Sequence, residues 1–240
     1  MLRLIRKIGT QQLSESNSRT FWLFTISEFV LVILGILIAL QIDNWNQNRQ
    51  EKKQETVLLN ELLLNLESDL KDVESNTNSL STALNSSRII LAHFEENLPY
   101  HDSLEYHFGQ IYRGTIFNRN LSAYESLKSI GIGLIRNNHL RQQITYLYSV
   151  KYDYLLKLEE AHHNMVRELL YPIIAKELNT TGIFQKAIPL NPSEIGDNNV
   201  FKESIKRNND FLNLQISQYQ QVNTLIIELI NSIETELGLE

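Results

Sequence analysis

The chain has 240 residues, no cysteine and a formal net charge of −6. The lack of cysteine excludes disulfides, thiol nucleophiles and zinc–thiolate sites. Residues 46–240 carry a net charge of −7, which argues against a nucleic-acid partner because neutralising phosphates needs a concentrated basic face.

The first predicted element is a short basic N-terminal segment, residues 1–20. It carries four Lys and Arg residues and one Glu, and leucine and isoleucine alternate with the first cations in "MLRLIRKI". Such a pattern suits a segment that lies on an anionic lipid surface. An alternative is a basic flank that serves only to set the orientation of the helix that follows.

Residues 21–43 are predicted to form an uncleaved transmembrane helix. The run "FWLFTISEFVLVILGILIALQI" spans roughly 33 Å as a helix, which matches the hydrocarbon core of a bilayer. Trp22 and Trp45 bracket it and are predicted to be interface anchors. The polar stretch that follows the apolar run, "DNWNQNRQEKK", lacks the small-residue cleavage site of a signal peptide. A buried core helix is disfavoured because Phe29–Leu40 has no polar face.

The flanking charges predict an orientation for this helix. The N-terminal flank carries more Lys and Arg than the C-terminal flank, whose cations are mixed with Asp and Glu. The positive-inside rule therefore predicts a cytoplasmic N-terminus. The chain would sit in the inner (plasma) membrane with residues 46–240 in the periplasm.

One face of the predicted membrane helix is predicted to pack against a second copy or another membrane protein. Glu28, Val32, Gly35 and Ala39 recur at helical spacing. Gly35 and Ala39 form a small-xxx-small pair that permits close helix approach, and a carboxylate inside a bilayer needs a partner or protonation. The alternative is that the helix sits lower in the membrane and leaves Glu28 at the headgroups.

Residues 44–240 are predicted to form an antiparallel helical bundle with long, coiled-coil-like helices, so the fold class is all-α. Glycine and proline are few, and apolar residues recur every three or four positions. A long helix is predicted from 46 to about 97, with a kink or break near 75–80 where poor helix formers cluster. The last helix is predicted over about 200–237.

A second long helix is predicted between these two, starting at about Asn138 and ending at about Leu178. Asn137 or Asn138 should cap its beginning. Pro172 should kink or split it near Tyr171. Residues 179–198 hold two prolines and two glycines and are predicted to be a long loop without strand signals.

A short helix is predicted over about 104–112, and another follows at "SAYESLKS". Ser122 and Glu125 have the spacing of a capping box. Tyr124 and Leu127 should then face inward. The glycines of "SIGIGLI" are interpreted as turn residues that end this helix, since the stretch lacks the strand-to-helix setting of a phosphate loop.

A repeated Glu-x-x-His pattern is the one motif with metal-ligand spacing. Glu159 precedes His162, and Glu160 precedes His163. Di-iron bundles use such pairs, but they need a second copy and two further glutamates, which the sequence does not supply. A solvated helix face is the preferred interpretation, so no metal and no cofactor is predicted. No serine has a nucleophile-elbow context, and the chain is predicted not to be an enzyme.

Two stretches resemble a widespread Bacteroidota family of short single-pass membrane proteins whose domain has no known function. The first is "ISEFVLVILGILIALQIDNWNQNRQEKK" and the second is "SAYESLKSIGIGLIRNNHLRQQI". The matching positions are Glu28, Gly35–Gln41, Asn44–Asn46, Tyr124, Glu125, Leu127, Lys128, Gly131, Leu134, Ile135, Leu140 and Arg141. Ser27 stands where the family usually has glycine. The resemblance implies a single-pass membrane protein and brings no activity with it.

The function predicted from these features is a membrane-anchored, non-enzymatic helical bundle that binds or scaffolds a protein partner, as an oligomer. Its expected partners are the lipid bilayer and either another protein or a second copy. Tyr124, Glu125 and Arg141 flank the irregular middle of the chain and are predicted to form a contact surface or an internal clasp. The alternative is a sensory or regulatory module that signals through the membrane helix, although its cytoplasmic part would be only about 20 residues long.

Overall fold

A computed structural model describes residues 18–239, with side chains from Trp22 onward. Of the predicted basic segment 1–20, only 18–20 are described, so the prediction for that segment lies mostly outside the described residues. Two compact units divide the chain: unit 1 is Met1–Lys53 and unit 2 is Gln54–Glu240. The structure is mostly helical, which confirms the predicted all-α class.

Helix α1 runs from Ser18 to Glu95 without interruption. The helix is largely apolar over 21–42 and polar over 43–53, and every described side chain from 22 to 50 is exposed. By length and composition it is the one described helix that is suitable for crossing a membrane, and its most apolar window is entirely unburied.

The predicted break near 75–80 is wrong, because α1 is helical throughout this stretch; whether it bends there stays a prediction. The Thr77 hydroxyl donates to the carbonyl of Val73 over 2.7 Å, which keeps it within the helix. The Asn76 amide donates to Asp72 over 2.9 Å. Both polar side chains thus find a hydrogen-bond partner one turn earlier on the same helix.

Two short helices follow in unit 2: α2 spans Leu104–Gln110 and α3 spans Ser122–Ile130. The predicted capping box in α3 is wrong. Helix α3 begins at Ser122, so Glu125 lies one position too far along to reach back to the cap. The Ser122 hydroxyl instead donates to the Asn120 side chain over 2.9 Å, and Glu125 pairs with Lys128 over 3.1 Å.

Helix α3 ends as predicted, at a glycine. Gly131 has φ 122°, a conformation that side chains rarely adopt, and its N–H donates to Leu127. A 3₁₀ turn over Ile132–Leu134 leads onward. Asn137 then caps the next helix by accepting from the backbone of His139 and Leu140, which confirms the predicted cap.

The next long helix, here called the middle helix, occupies residues 138–177. It is built from α4 (Asn138–Tyr146), a π turn (Leu147–Lys151), α5 (Tyr152–Met165), a π turn (Val166–Leu170) and α6 (Tyr171–Glu177), in a row. The predicted split near Tyr171 is wrong, because the helix continues through Pro172. A π turn lies immediately before the proline, and both features are common sites of helix kinks, so the predicted kink stays a prediction.

Residues 178–198 are more ordered than the predicted loop. Strands β1 (Leu178–Thr180) and β2 (Ala187–Pro189) pair antiparallel as a hairpin, so the expectation of no strands is wrong. A 3₁₀ turn over Ile195–Asp197 follows. Each strand has only three residues, of mixed type. This is too few to show the alternation of apolar and polar residues that predicts a strand.

The hairpin is fixed to α2 through its connecting turn. The Gln110 amide donates to the carbonyl of Phe184 over 2.7 Å, and the Arg113 guanidinium lies 4.7 Å from the centre of the Phe184 ring. Phe184 has φ 55°, which costs conformational energy for a side chain of this size. A Cβ on Gly109 would lie 1.4 Å from the carbonyl oxygen of Gln185. Glycine at 109 is therefore what lets the two backbones touch.

Helix α7, Asn199–Leu237, completes the bundle, as predicted. In unit 2 it packs with the middle helix and the later part of α1 around two apolar clusters. The larger cluster includes Leu59, Leu62, Leu66, Val73, Leu80, Ile144, Tyr152, Tyr219, Ile226 and Ile233. The smaller cluster includes Ile90, Phe108, Ile111, Val166, Leu170, Ile174, Phe201 and Ile205.

We expect Asn198→Ala to lower the free energy of unfolding by about 1 kcal/mol. The Asn198 side chain accepts from the N–H of Phe201 at the start of α7 and donates to Glu177 over 2.8 Å. Thermal unfolding followed by far-UV circular dichroism measures the loss. Asn199→Ala is the matched control, since Asn199 is exposed and alanine is a better helix former. Equal losses from both variants would contradict the capping role.

Candidate functional site

The most developed polar arrangement in unit 2 surrounds residues 111–121, which we call the strap. The strap joins α2 to α3 and has no regular secondary structure. Ile111, Thr115 and Phe117 on it are buried. Buried backbone groups must find hydrogen-bond partners, and side chains of the helices supply them here.

Glu159, on the middle helix, holds the centre of the strap. It is 3% exposed. One carboxylate oxygen accepts from the Thr115 hydroxyl over 2.9 Å and from the Tyr219 hydroxyl of α7. The other oxygen accepts from the N–H of Phe117 over 3.0 Å. The carboxylate thus ties together the strap, the middle helix and α7.

Asp69 and Asp72, on α1, hold the end of the strap. Asp69 is fully buried; it accepts from the N–H of Asn120 over 2.7 Å and from the Tyr152 hydroxyl over 2.8 Å. Asp72 accepts from the N–H of Asn118 over 3.1 Å. These aspartates, three residues apart on one helical face, bind alternate amides of the extended strap.

Burial sets the ionisation of this group of residues. It raises the pKa of the Asp69 carboxyl to about 6, although the hydrogen bonds from Asn120 and Tyr152 favour the charged form. Burial and the neighbouring carboxylates also raise the pKa values of the Tyr152 and Tyr219 phenols. Both phenols therefore stay protonated at neutral pH and act as donors.

Aromatic rings pack beside the carboxylates. The Phe117 ring meets the Tyr152 ring edge-on, with 4.8 Å between centroids. Tyr148 stacks on Tyr124 of α3 with centroids 4.6 Å apart. These rings exclude water from the carboxylates, which strengthens each hydrogen bond and increases the cost of losing one.

His162 forms a second polar contact with the strap. It is fully buried, and its Nε2 lies 2.8 Å from the side-chain oxygen of Asn208 on α7. The Asn208 amide nitrogen donates to the carbonyl of Ile111 over 2.7 Å, so the oxygen of Asn208 must accept and His162 Nε2 must carry a proton. Burial lowers the pKa of His162, which favours the neutral ring.

The Glu-x-x-His repeat therefore separates into two pairs. Glu160 and His163 are exposed, as the solvated-face interpretation predicts. That interpretation is wrong for Glu159 and His162, which are buried and engaged with the strap. Among the described residues, no group of three or more His, Asp or Glu side chains could hold a metal ion.

The residues of the predicted membrane-packing face lie in unit 1. Glu28, Val32, Gly35 and Ala39 are all exposed on α1. A Cβ on Gly35 would meet nothing within 4 Å, so the glycine is not required by the fold of the single chain. Packing through this face stays a prediction.

The predicted interface anchors, Trp22 and Trp45, are each 64% exposed. The Arg49 guanidinium lies 5.9 Å from the centre of the Trp45 ring, a cation–π contact between neighbouring turns of α1. An exposed indole at each end of the apolar run suits the two interfaces of a membrane, and the anchoring role stays a prediction.

The three residues predicted as a contact surface or clasp have separate surroundings. Tyr124 is buried and its hydroxyl lies 2.7 Å from the Ser149 hydroxyl. Glu125 is exposed and pairs with Lys128. Arg141 donates to the carbonyl of Ile135 over 3.1 Å and supports the turn before the middle helix. Their joint role stays a prediction.

Sequence reasoning missed the residues that hold the strap. Asp69 and Asp72 occur among many other acidic residues of a long amphipathic helix, and Glu159 is adjacent to an exposed glutamate. One signal was available for Asp69: it interrupts the otherwise apolar inner face of α1, between Leu66 and Val73. A charged residue on a buried face predicts a specific partner.

Comparison with known proteins identifies a family. The model of a family of unknown function, DUF6090, matches residues 28–183. The match begins at Glu28 in unit 1 and extends beyond the middle helix, so it includes the strap and all three carboxylates that hold it. No curated protein and no solved structure matches the chain. Because the family model covers well over half of its residues, the chain belongs to the DUF6090 family.

Proposed function

We propose that this protein is a non-enzymatic, membrane-anchored scaffold: α1 crosses the inner membrane once, and unit 2 binds a protein partner from the periplasmic side. The single observation that carries the proposal is the exposure of every described side chain over the apolar run from Trp22 to Ile42. An apolar surface of this size is stable only in lipid or against another protein.

The inside of unit 2 supports a structural role for its buried polar groups. Asp69, Asp72 and Glu159 accept hydrogen bonds from the strap and from tyrosines. Their carboxylate oxygens are thus used to hold the chain to itself. The two apolar clusters fill the rest of the bundle with leucine, isoleucine and aromatic side chains. Such an interior suits a rigid platform that presents its surface to a partner.

The proposal assigns oligomer formation to one face of α1. Gly35 and Ala39 would permit a second helix to approach closely, and Glu28 would provide a polar contact whose cost in lipid is reduced by a partner. The orientation with a cytoplasmic N-terminus rests on the flanking charges.

We expect single cysteines at Gly35 and Ala39 to crosslink in native membranes several-fold more than a cysteine at Leu37, on the opposite face. The natural chain has no cysteine, so each variant gives a signal from one known position. Oxidative crosslinking and gel electrophoresis measure the dimer yield. Equal yields from the two faces would contradict packing through Gly35 and Ala39.

A scaffold should be recovered in a complex. We expect the full chain, purified from native membranes in mild detergent, to elute as an oligomer or with a bound protein, and Gly35→Leu to weaken that association. Leu37→Phe adds bulk to the opposite face and serves as the control. Recovery of a monomer alone, from both the natural chain and the control, would refute the scaffold.

A further inference from the structure

We propose that unit 2 has an internal water-binding site between the imidazole of His162 on the middle helix and the side-chain amide of Gln215 on α7. The site holds one or two ordered water molecules, which link the two helices where direct hydrogen bonds between these side chains are missing. This inference concerns unit 2 alone and does not depend on the scaffold role.

Two hydrogen bonds between the middle helix and α7 fix the position of Gln215. Glu159 accepts from the Tyr219 hydroxyl, and His162 Nε2 lies 2.8 Å from the side-chain oxygen of Asn208. Residues 208, 215 and 219 share one face of α7, since they are separated by seven and four positions. Gln215 therefore faces the turn of the middle helix that carries Glu159 and His162.

His162 and Gln215 are both fully buried, and both leave polar atoms without a partner. Each side chain is 0% exposed. Eight buried side-chain atoms among the described residues have no hydrogen-bond partner, and three of these are His162 Nδ1 and the two polar amide atoms of Gln215. An unpaired buried polar group is costly, so this concentration of three atoms on neighbouring side chains calls for a partner other than the protein chain.

The tautomer of His162 determines which hydrogen bonds the water makes. The Asn208 amide nitrogen donates to the carbonyl of Ile111 over 2.7 Å, so the Asn208 oxygen accepts from Nε2 of His162. In the neutral ring Nδ1 then carries no proton and must accept. Water supplies this donor, and its oxygen accepts from the Gln215 amide nitrogen. The Gln215 oxygen needs a donor as well, which a second water in the same site would supply.

The influence of Gln215 on the charge of His162 agrees with a contact relayed through water. Burial is the main cause that lowers the pKa of His162, and Asn208 and Gln215 oppose it as hydrogen-bond partners. Asn208 does so in direct contact, whereas no atom of the Gln215 side chain is directly bonded to a protein group in the described part of the chain. A water between two close but unbonded polar groups completes such a contact.

The surroundings of the site favour neutral water over an ion. Glu159, one turn away, has both oxygens engaged by donors of the protein, and burial favours the uncharged ring of His162. The Phe211 ring stacks on His162 with centroids 5.8 Å apart. Within residues 18–239, no group of three or more His, Asp or Glu side chains could hold a metal ion.

Water-edited solid-state NMR of the full chain in lipid bilayers tests the proposal. It measures how fast proton magnetisation passes from water to the carbon-13 nuclei of each side chain. We expect transfer to the His162 ring carbons to be several-fold faster than transfer to the Phe201 ring, which is also 0% exposed but has no polar atom. Equally slow transfer to both rings would overturn the proposal.

Gln215→Met is the matched variant, because methionine has nearly the same length as glutamine but no amide. The contacts of His162 with Asn208 and Phe211 stay in place, so the exchangeable protons of the protein beside the ring are the same in both chains. Transfer to the His162 ring carbons should fall to the level of Phe201. Transfer that remains fast in this variant would refute a water held by Gln215.

Should the variant fail to fold, nitrogen-15 spectra of the natural chain separate a bound water from a direct bond. A scalar coupling between Gln215 Nε2 and His162 Nδ1 would show that the amide donates to the ring directly, and would refute the water site. Fast water transfer to the His162 ring without that coupling supports it.

Discussion

Glu159→Ala is expected to lower the free energy of unfolding of unit 2 by about 3–5 kcal/mol. The substitution removes the acceptor for three donors at once: the Thr115 hydroxyl, the N–H of Phe117 and the Tyr219 hydroxyl. Each would be left buried beside apolar rings, without water to replace the carboxylate. Denaturant unfolding of the full chain, followed by far-UV circular dichroism, measures the loss.

Glu160→Ala is the control for this experiment. Glu160 follows Glu159 in the same helix but is exposed, so its removal should change the stability by no more than about 0.5 kcal/mol. A double-mutant cycle with Tyr219→Phe should give a coupling of about 1–3 kcal/mol, because the two side chains share a hydrogen bond. If Glu159→Ala is as mild as the control, the strap is not held by this carboxylate.

Gly109→Ala should lower the free energy of unfolding by about 2–4 kcal/mol and reduce the melting temperature by roughly 10 °C. The added methyl group would lie 1.4 Å from the carbonyl oxygen of Gln185 and 2.6 Å from its carbonyl carbon. The clash involves backbone atoms, so no side-chain rotation can relieve it. Either α2 or the hairpin must move, and the contacts of Gln110 and Arg113 with Phe184 should weaken together.

Gly133→Ala provides the comparison. A Cβ at this position meets nothing within 4 Å, so the substitution should be neutral or slightly stabilising through the unfolded state. Thermal unfolding of both variants in the same detergent makes the comparison direct. A neutral Gly109→Ala would mean that the hairpin does not lie against α2 in solution.

Much of the helical framework could be predicted from the sequence, because apolar residues recur every three or four positions along a long helix with one buried face. The inner residues Leu59, Leu66 and Val73 follow the three-and-four spacing closely, and the cap at Asn137 has a local side-chain signature. The glycine that ends α3 is equally local, since its conformation excludes other residues. These features depend only on near neighbours in the chain.

The strap could not be predicted, because its partners are far away in the sequence. Thr115 meets Glu159 across 44 residues, and Asn120 meets Asp69 across 51. The pattern of apolar and polar residues within one segment carries no information on contacts with a segment that far away in the sequence. The two π turns of the middle helix are hidden for a related reason: each accommodates an extra residue within a helix whose apolar pattern continues on both sides.

The hairpin and the start of α3 show how local signals mislead. Two prolines and two glycines in 179–198 correctly indicated turns, but the paired strands between them are only three residues each. Ser122 and Glu125 have the right spacing for a capping box, yet a competing acceptor on Asn120 takes the serine hydroxyl. A short sequence motif adopts its expected structure only when no competing hydrogen-bond partner lies near its side chains.

The division into two units has a consequence for optical spectroscopy of the unlabelled protein. Both tryptophans lie in unit 1, at Trp22 and Trp45, whereas all ten tyrosines lie beyond residue 99 and therefore in unit 2. Indole emission thus reports on the apolar stretch and its surroundings, and phenol absorbance reports on the bundle. Because burial raises the pKa values of Tyr148, Tyr152 and Tyr219, their phenolate bands should appear in alkali only as the bundle opens. One sample therefore carries an independent natural probe for each unit.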